Sequence, residues 1–103
     1  MSEWRPIARL EDLPIDRGRL VELAGHELAV FRLSASPGLI VVGNSCPHAG
    51  GNLAAGAVAD GCVTCPWHHW VFDLRDGRCP LSEAVRLRGY ESRVVDGVVE
   101  VRV

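Results

Sequence analysis

Two short runs in the chain pair a thiol with an imidazole: Cys46-Pro47-His48 and Cys65-Pro66-Trp67-His68, separated by the stretch Ala49 to Thr64. Each run contains a proline, whose fixed φ stiffens a turn. Two sulfur and two nitrogen donors suit Zn²⁺ in a closed tetrahedral site. They also suit a [2Fe–2S] cluster in which two His replace two Cys on one iron. A zinc finger of the usual kind draws its Cys pair from one element and its His pair from another. Here each run brings one of each. Two such loops can pinch a two-iron cluster from opposite sides, an alternation that a single tetrahedral ion does not need.

The rest of the composition narrows the setting. The chain has 103 residues, 48% of them apolar and 23% charged, which suits one domain with a real core and is too apolar for disorder. No apolar run approaches the roughly 18 residues of a membrane helix. The first residues, MSEWRPIARLEDLP, carry acids early and no apolar core, so no secretory signal is expected and a cytoplasmic setting is. A net charge of −2 disfavours nucleic acid as a partner. All eleven basic residues are Arg. In a reducing compartment four cysteines point to metal ligands, catalytic thiols or buried small residues more than to disulfides. Cys62 and Cys79, outside the two runs, read as buried small residues, with a mutual disulfide or a substitute ligand as the alternatives. His26 reads as a surface residue, Trp4 as core or edge packing, and Arg75, Asp76 and Arg78 as a solvated turn.

Short β-rich segments position these donors. Asp-Gly occurs at Asp60-Gly61, Asp76-Gly77 and Asp96-Gly97, each fit for a tight hairpin with two positive φ angles, and Ala24-Gly25-His26 is a fourth candidate turn. Strands are expected at 19–23, 27–33, 39–42, 62–64, 71–74, 90–95 and 98–103, with the pair around Asp96-Gly97 the clearest hairpin. The run Leu39 to Val42, all apolar, reads as a strand buried on both faces. A helical turn is expected at 10–13, stopped by Pro14. No window sustains a 3.6-residue period. The fold class is therefore all-β, a small sandwich or a partly open barrel. Asn44 to Gly56, NSCPHAGGNLAAG, is a long loop in so small a domain and is expected to be functional.

The pattern C-x-H…C-x-x-H at this spacing resembles the Rieske iron–sulfur motif. The wider text, CPHAGGNL and then CVTCPWHHWVFDLRDGRC, is similar to soluble bacterial Rieske ferredoxins and to the small Rieske subunit of NADH-dependent nitrite reductases. The resemblance covers nearly the whole chain. It implies an all-β Rieske fold over residues 1–103, stacked antiparallel sheets with cluster-binding loops around 44–56 and 64–72 in a small subdomain. Cys46 and Cys65 would bind the inner iron, His48 and His68 the outer one, and Pro80 would belong to a loop covering the cluster. The C-x-x-H spacing selects His68 over its neighbour His69. Rieske proteins of respiratory cytochrome bc complexes carry a disulfide between two extra cysteines at the positions of Gly51 and Trp67, and a hydrogen-bonding Ser at the position of Trp70. Their absence here implies the lower part of a range of about −150 to +300 mV. Trp67 and Trp70 would form an apolar lid or plain core. Exposed ring nitrogens on His48 and His68 would make the potential fall as pH rises.

The function so implied is electron carriage without catalysis, from a flavoprotein reductase to a terminal oxygenase of the ring-hydroxylating kind. The alternatives are the Rieske small subunit of an NAD(P)H-dependent nitrite reductase, bound to its large subunit, and a structural zinc-binding module.

Overall fold

The computed structural model describes residues 3–34, 38–44, 52–66, 70–79 and 82–102. Its strands are β1 (Trp4–Arg9), β2 (Arg17–Leu23), β3 (His26–Arg32), β4 (Leu39–Gly43), β5 (Ala57–Ala59), β6 (Cys62–Thr64), β7 (Val71–Asp73), β8 (Arg78–Cys79), β9 (Ser82–Arg86), β10 (Gly89–Val95) and β11 (Val98–Arg102). They form a six-stranded sheet in the order β1-β11-β10-β4-β3-β2, a three-stranded sheet β5-β6-β7 and the pair β8-β9. The neighbouring strands of these sheets all pair antiparallel, as the resemblance implies. Strands β1, β5, β8 and β9 were not anticipated.

Turn chemistry sets the registers. Ala24-Gly25, Asp60-Gly61 and Asp96-Gly97 each place both residues at positive φ, between 50° and 81°. These two-residue loops match the twist of the strands they join. The β2–β3 hairpin consequently pairs without a break from Leu23 with His26 to Arg17 with Arg32. Asp76-Gly77 departs from the expectation, since only Gly77 has positive φ, at 76°. There the Asp73 and Asp76 carboxylates accept the backbone N–H groups of Arg75 and Arg78, each at 2.9 Å, and Gly77 N–H reaches Asp73 O at 2.7 Å. Two side-chain-closed turns in succession thus replace the tight hairpin.

The central strands separate two cores. In β3, Leu28 and Val30 enter one apolar cluster, and Ala29 and Phe31 enter the other; in β4, Val41 and Val42 divide the same way. The two-faced burial expected for Leu39 to Val42 holds for its second half, while Leu39 and Ile40 are half-buried. One cluster is closed by Leu13, Val99 and Val101, on the side to which β10, β11 and β1 curl. The other is roofed by the small sheet through Val63 and Phe72, with Leu53, Leu74, Cys79 and Leu87 around them.

Residues 10–12 form the expected helical turn, of the 3-10 kind. Trp4 lies half-buried on the edge strand β1, with the Arg93 and Arg102 guanidinium groups 4.3 and 5.3 Å from its ring centre. Cys62 and Cys79 are free cysteines, so no disulfide joins them. Cys79 is buried as expected, but Cys62 is half-buried: in β6 only Val63 turns inward, and Cys62 and Thr64 flank it on the opposite face. His26 is also half-buried, its ring edge-on to Tyr90 at 6.1 Å.

Candidate metal centre

The second Cys/His run grows from the tip of the β6–β7 hairpin. The ladder ends at Thr64 opposite Val71. Beyond it Cys65 N–H donates to Trp70 O at 2.7 Å, which closes the loop containing the C-x-x-H run. Cys65 has no exposed surface and belongs to the apolar cluster with Leu53, Phe72, Leu74 and Cys79, against which Trp70 packs. An apolar shell of this kind limits water and lowers the dielectric around a metal-bound sulfur, and both properties tune a cluster's potential.

The first run leaves the end of β4. Asn44, directly after that strand, is 4% exposed and is the one buried polar residue among the described residues. Its N–H donates to Glu27 O at 2.9 Å, and its own carbonyl accepts Leu53 N–H at 3.0 Å. Its side-chain Oδ1 accepts Ala54 N–H at 2.9 Å. Leu53 opens a 3-10 turn, Leu53–Ala55, which ends as Gly56 N–H donates to Leu53 O at 2.9 Å. Gly56 then passes close to β6: a β-carbon there would stand 2.8 Å from Val63 Cγ2. The segment after the first run is in this way pressed onto the strand that leads to Cys65, and Leu53 shares a core with it.

Of the four expected donors, Cys65 is described, while Cys46, His48 and His68 lie outside the described residues, as do Gly51, Trp67, His69 and Pro80. The structure brings together the flanks of the two runs. The sequence reading did not single out Asn44. Its signal was a polar side chain directly after an apolar strand and a glycine, a place where Asn commonly bonds nearby backbone.

At the other end of the β6–β7 hairpin, Arg75 grips Asp73 twice, Nε to Oδ1 and Nη2 to Oδ2, each at 2.9 Å. The Arg75 side chain holds the Asp73 carboxyl below the ordinary carboxylate range, against the opposing effect of burial. Arg75, Asp76 and Arg78 are exposed, as expected of a solvated turn.

The chain is similar to known proteins over nearly its whole length. Residues 3–91 match the family model of the Rieske [2Fe-2S] domain. The ferredoxin subunit of anthranilate 1,2-dioxygenase from Burkholderia cepacia is 36% identical over 100% of this chain and 94% of its own. The small subunit of NADH nitrite reductase from Escherichia coli K12 is 31% identical over 99% of both chains. Among solved structures, the ferredoxin of carbazole 1,9a-dioxygenase from Nocardioides aromaticivorans superposes with a TM-score of 0.85, at 26% identity and 95% coverage of each chain.

Proposed function

The chain belongs to the Rieske [2Fe-2S] family, and from that premise we propose that it is a one-electron carrier with no substrate chemistry of its own, one domain over residues 1–103 acting in the cytoplasm. Two thiolates and two imidazoles are the donor set a Rieske cluster requires. Cys46 and Cys65 take the inner iron, and His48 and His68 the outer one. When bound, such a cluster accepts and returns a single electron. The chain's own contribution is placement and exclusion of water. The Cys65 N–H to Trp70 O bond closes one ligand loop, and the apolar shell of Leu53, Phe72 and Leu74 keeps water from the Cys65 sulfur.

The observation that supports this reading most is a fully buried cysteine at the tip of a closed hairpin, at the C-x-x-H position of the family motif. Its test is anaerobic purification with assay of iron and acid-labile sulfide, then EPR of the reduced protein. Red-brown protein with a low average g is expected, lost in His48→Ala and in His68→Ala. Colourless protein holding zinc, or histidine variants with an intact cluster, would overturn the reading.

The partners follow from the relatives. The chain is more similar to the dioxygenase ferredoxin subunit, at 36% identity, than to the nitrite reductase subunit, at 31%. A flavoprotein reductase as donor and a terminal oxygenase as acceptor are therefore the first reading, met in encounters burying under about 1,200 Å². The second reading, a nitrite reductase small subunit, rests on near-complete mutual coverage with that relative. Affinity capture from the native host separates them: an oxygenase supports the first, and a large subunit with flavin and sirohaem supports the second. Among the described residues no helix is long and apolar enough to cross a membrane.

A further inference from the structure

Asn44 stands out for what its bonds connect. Burying an amide is costly unless it is hydrogen-bonded. Asn44 is nonetheless the one buried polar residue among those described, at 4% exposure. Among the described residues its bonds run in two directions, back to Glu27 in β3 and forward to Leu53 and Ala54. Asn44 directly precedes the segment 45–51 that carries Cys46 and His48, and Leu53 and Ala54 follow it at one residue's remove. Leu53 in turn shares its core with Cys65 of the other run.

We propose that Asn44 is a positioning residue for the cluster, a clamp that ties together the residues on either side of the first ligand segment, one of which, Leu53, shares its core with Cys65. The proposal rests on the carrier reading above. The side-chain bond to Ala54 N–H is the part a substitution can remove, because the backbone bonds at Asn44 do not depend on residue type. Truncation leaves a part-buried N–H without its acceptor, which loosens the end of the segment while the strands remain.

The test compares the wild type with Asn44→Ala, Asn44→Asp and Val99→Ala, the last a core truncation in the cluster on the opposite face. Hydrogen exchange is read by mass spectrometry over residues 52–56, iron release to a chelator by absorbance, and the reduced cluster by EPR. In N44A, exchange over 52–56 and iron release are expected to rise by on the order of ten-fold, with shifted g values. N44D keeps an acceptor at the same reach and should restore slow exchange and slow release. V99A should lower the melting temperature and leave the g values as in the wild type. If N44A does not fold, Asn44→Gln, which displaces the acceptor by one methylene, should show the same selective loosening. Wild-type exchange and release in N44A, or the same g shift in V99A, would overturn the clamp. Should the wild type hold no iron or sulfide, the carrier reading falls, and the exchange arm alone still decides whether Asn44 pins residues 52–56.

Discussion

The backbone of Gly18 in β2 runs so close to Ala54 that a β-carbon on Gly18 would stand 2.6 Å from the Ala54 carbonyl oxygen, and 2.7 Å from Phe31 Cε1. The large sheet and the turn that follows the first ligand run therefore meet without a side chain between them. Gly18→Ala should force them apart, at about 1 to 3 kcal/mol. For a domain of this size each kcal/mol lowers the melting temperature by about 4 to 8 °C. Gly89→Ala, where a β-carbon would meet nothing within 4 Å, is the control expected to melt near the wild type.

Leu53 opens the same turn and is fully buried in the core that also holds Cys65. Leu53→Ala should cost about 2 to 5 kcal/mol in urea unfolding, from lost burial and the cavity left behind. Iron release should quicken as well, since the cavity opens in the core that holds Cys65. An unchanged urea midpoint would show that this side chain is not buried as described.

The Asp73–Arg75 pair predicts an acid dependence. The Asp73 carboxyl is depressed in the folded chain, chiefly by the Arg75 side chain. Its contribution is therefore present above the unfolded carboxylate value of about 3.9 and is lost as pH falls through the lower, folded value. Asp73→Asn should be less stable than the wild type at neutral pH, and the gap should close in acid. Chemical denaturation of both proteins across that range checks it. A gap that is constant with pH would show that the bond matters without its charge.

Ala24 adopts a φ of 51° in the β2–β3 turn. For a residue with a β-carbon the left-handed conformation costs about 1 to 2 kcal/mol, and Asn tolerates it better. Ala24→Asn, which creates the preferred Asn-Gly turn, should stabilise the protein by about 0.5 to 1 kcal/mol, read as a higher melting temperature.

What the sequence disclosed followed local chemistry. Asp60-Gly61 and Asp96-Gly97 announced hairpins because positive φ is a local preference. Asp76-Gly77 did not follow, because the carboxylates of Asp73 and Asp76 found backbone donors two residues on. The edge strand β1 has mixed burial and no alternating pattern, and it exists because Trp4 to Arg9 pair with β11, a partner far along the chain. Strands β5 and β8 span three and two residues, too short for periodicity to reveal, and β9, of sequence SEAVR, has no apolar alternation. At the site, donor types and spacing made the two Cys/His runs legible from sequence. The role of Asn44 was hidden, because it depends on contacts with Glu27 and Ala54, which only the folded chain brings near.

Because β3 and β4 send alternate side chains into the two cores, a slip of one residue would exchange Leu28 and Val30 for Ala29 and Phe31 and spoil both sides at once. Neither half can be misassembled while the other stays sound. The core without Cys65 thereby acts as a proofreader for the half that holds it, and heat should dissolve the two together in one cooperative step.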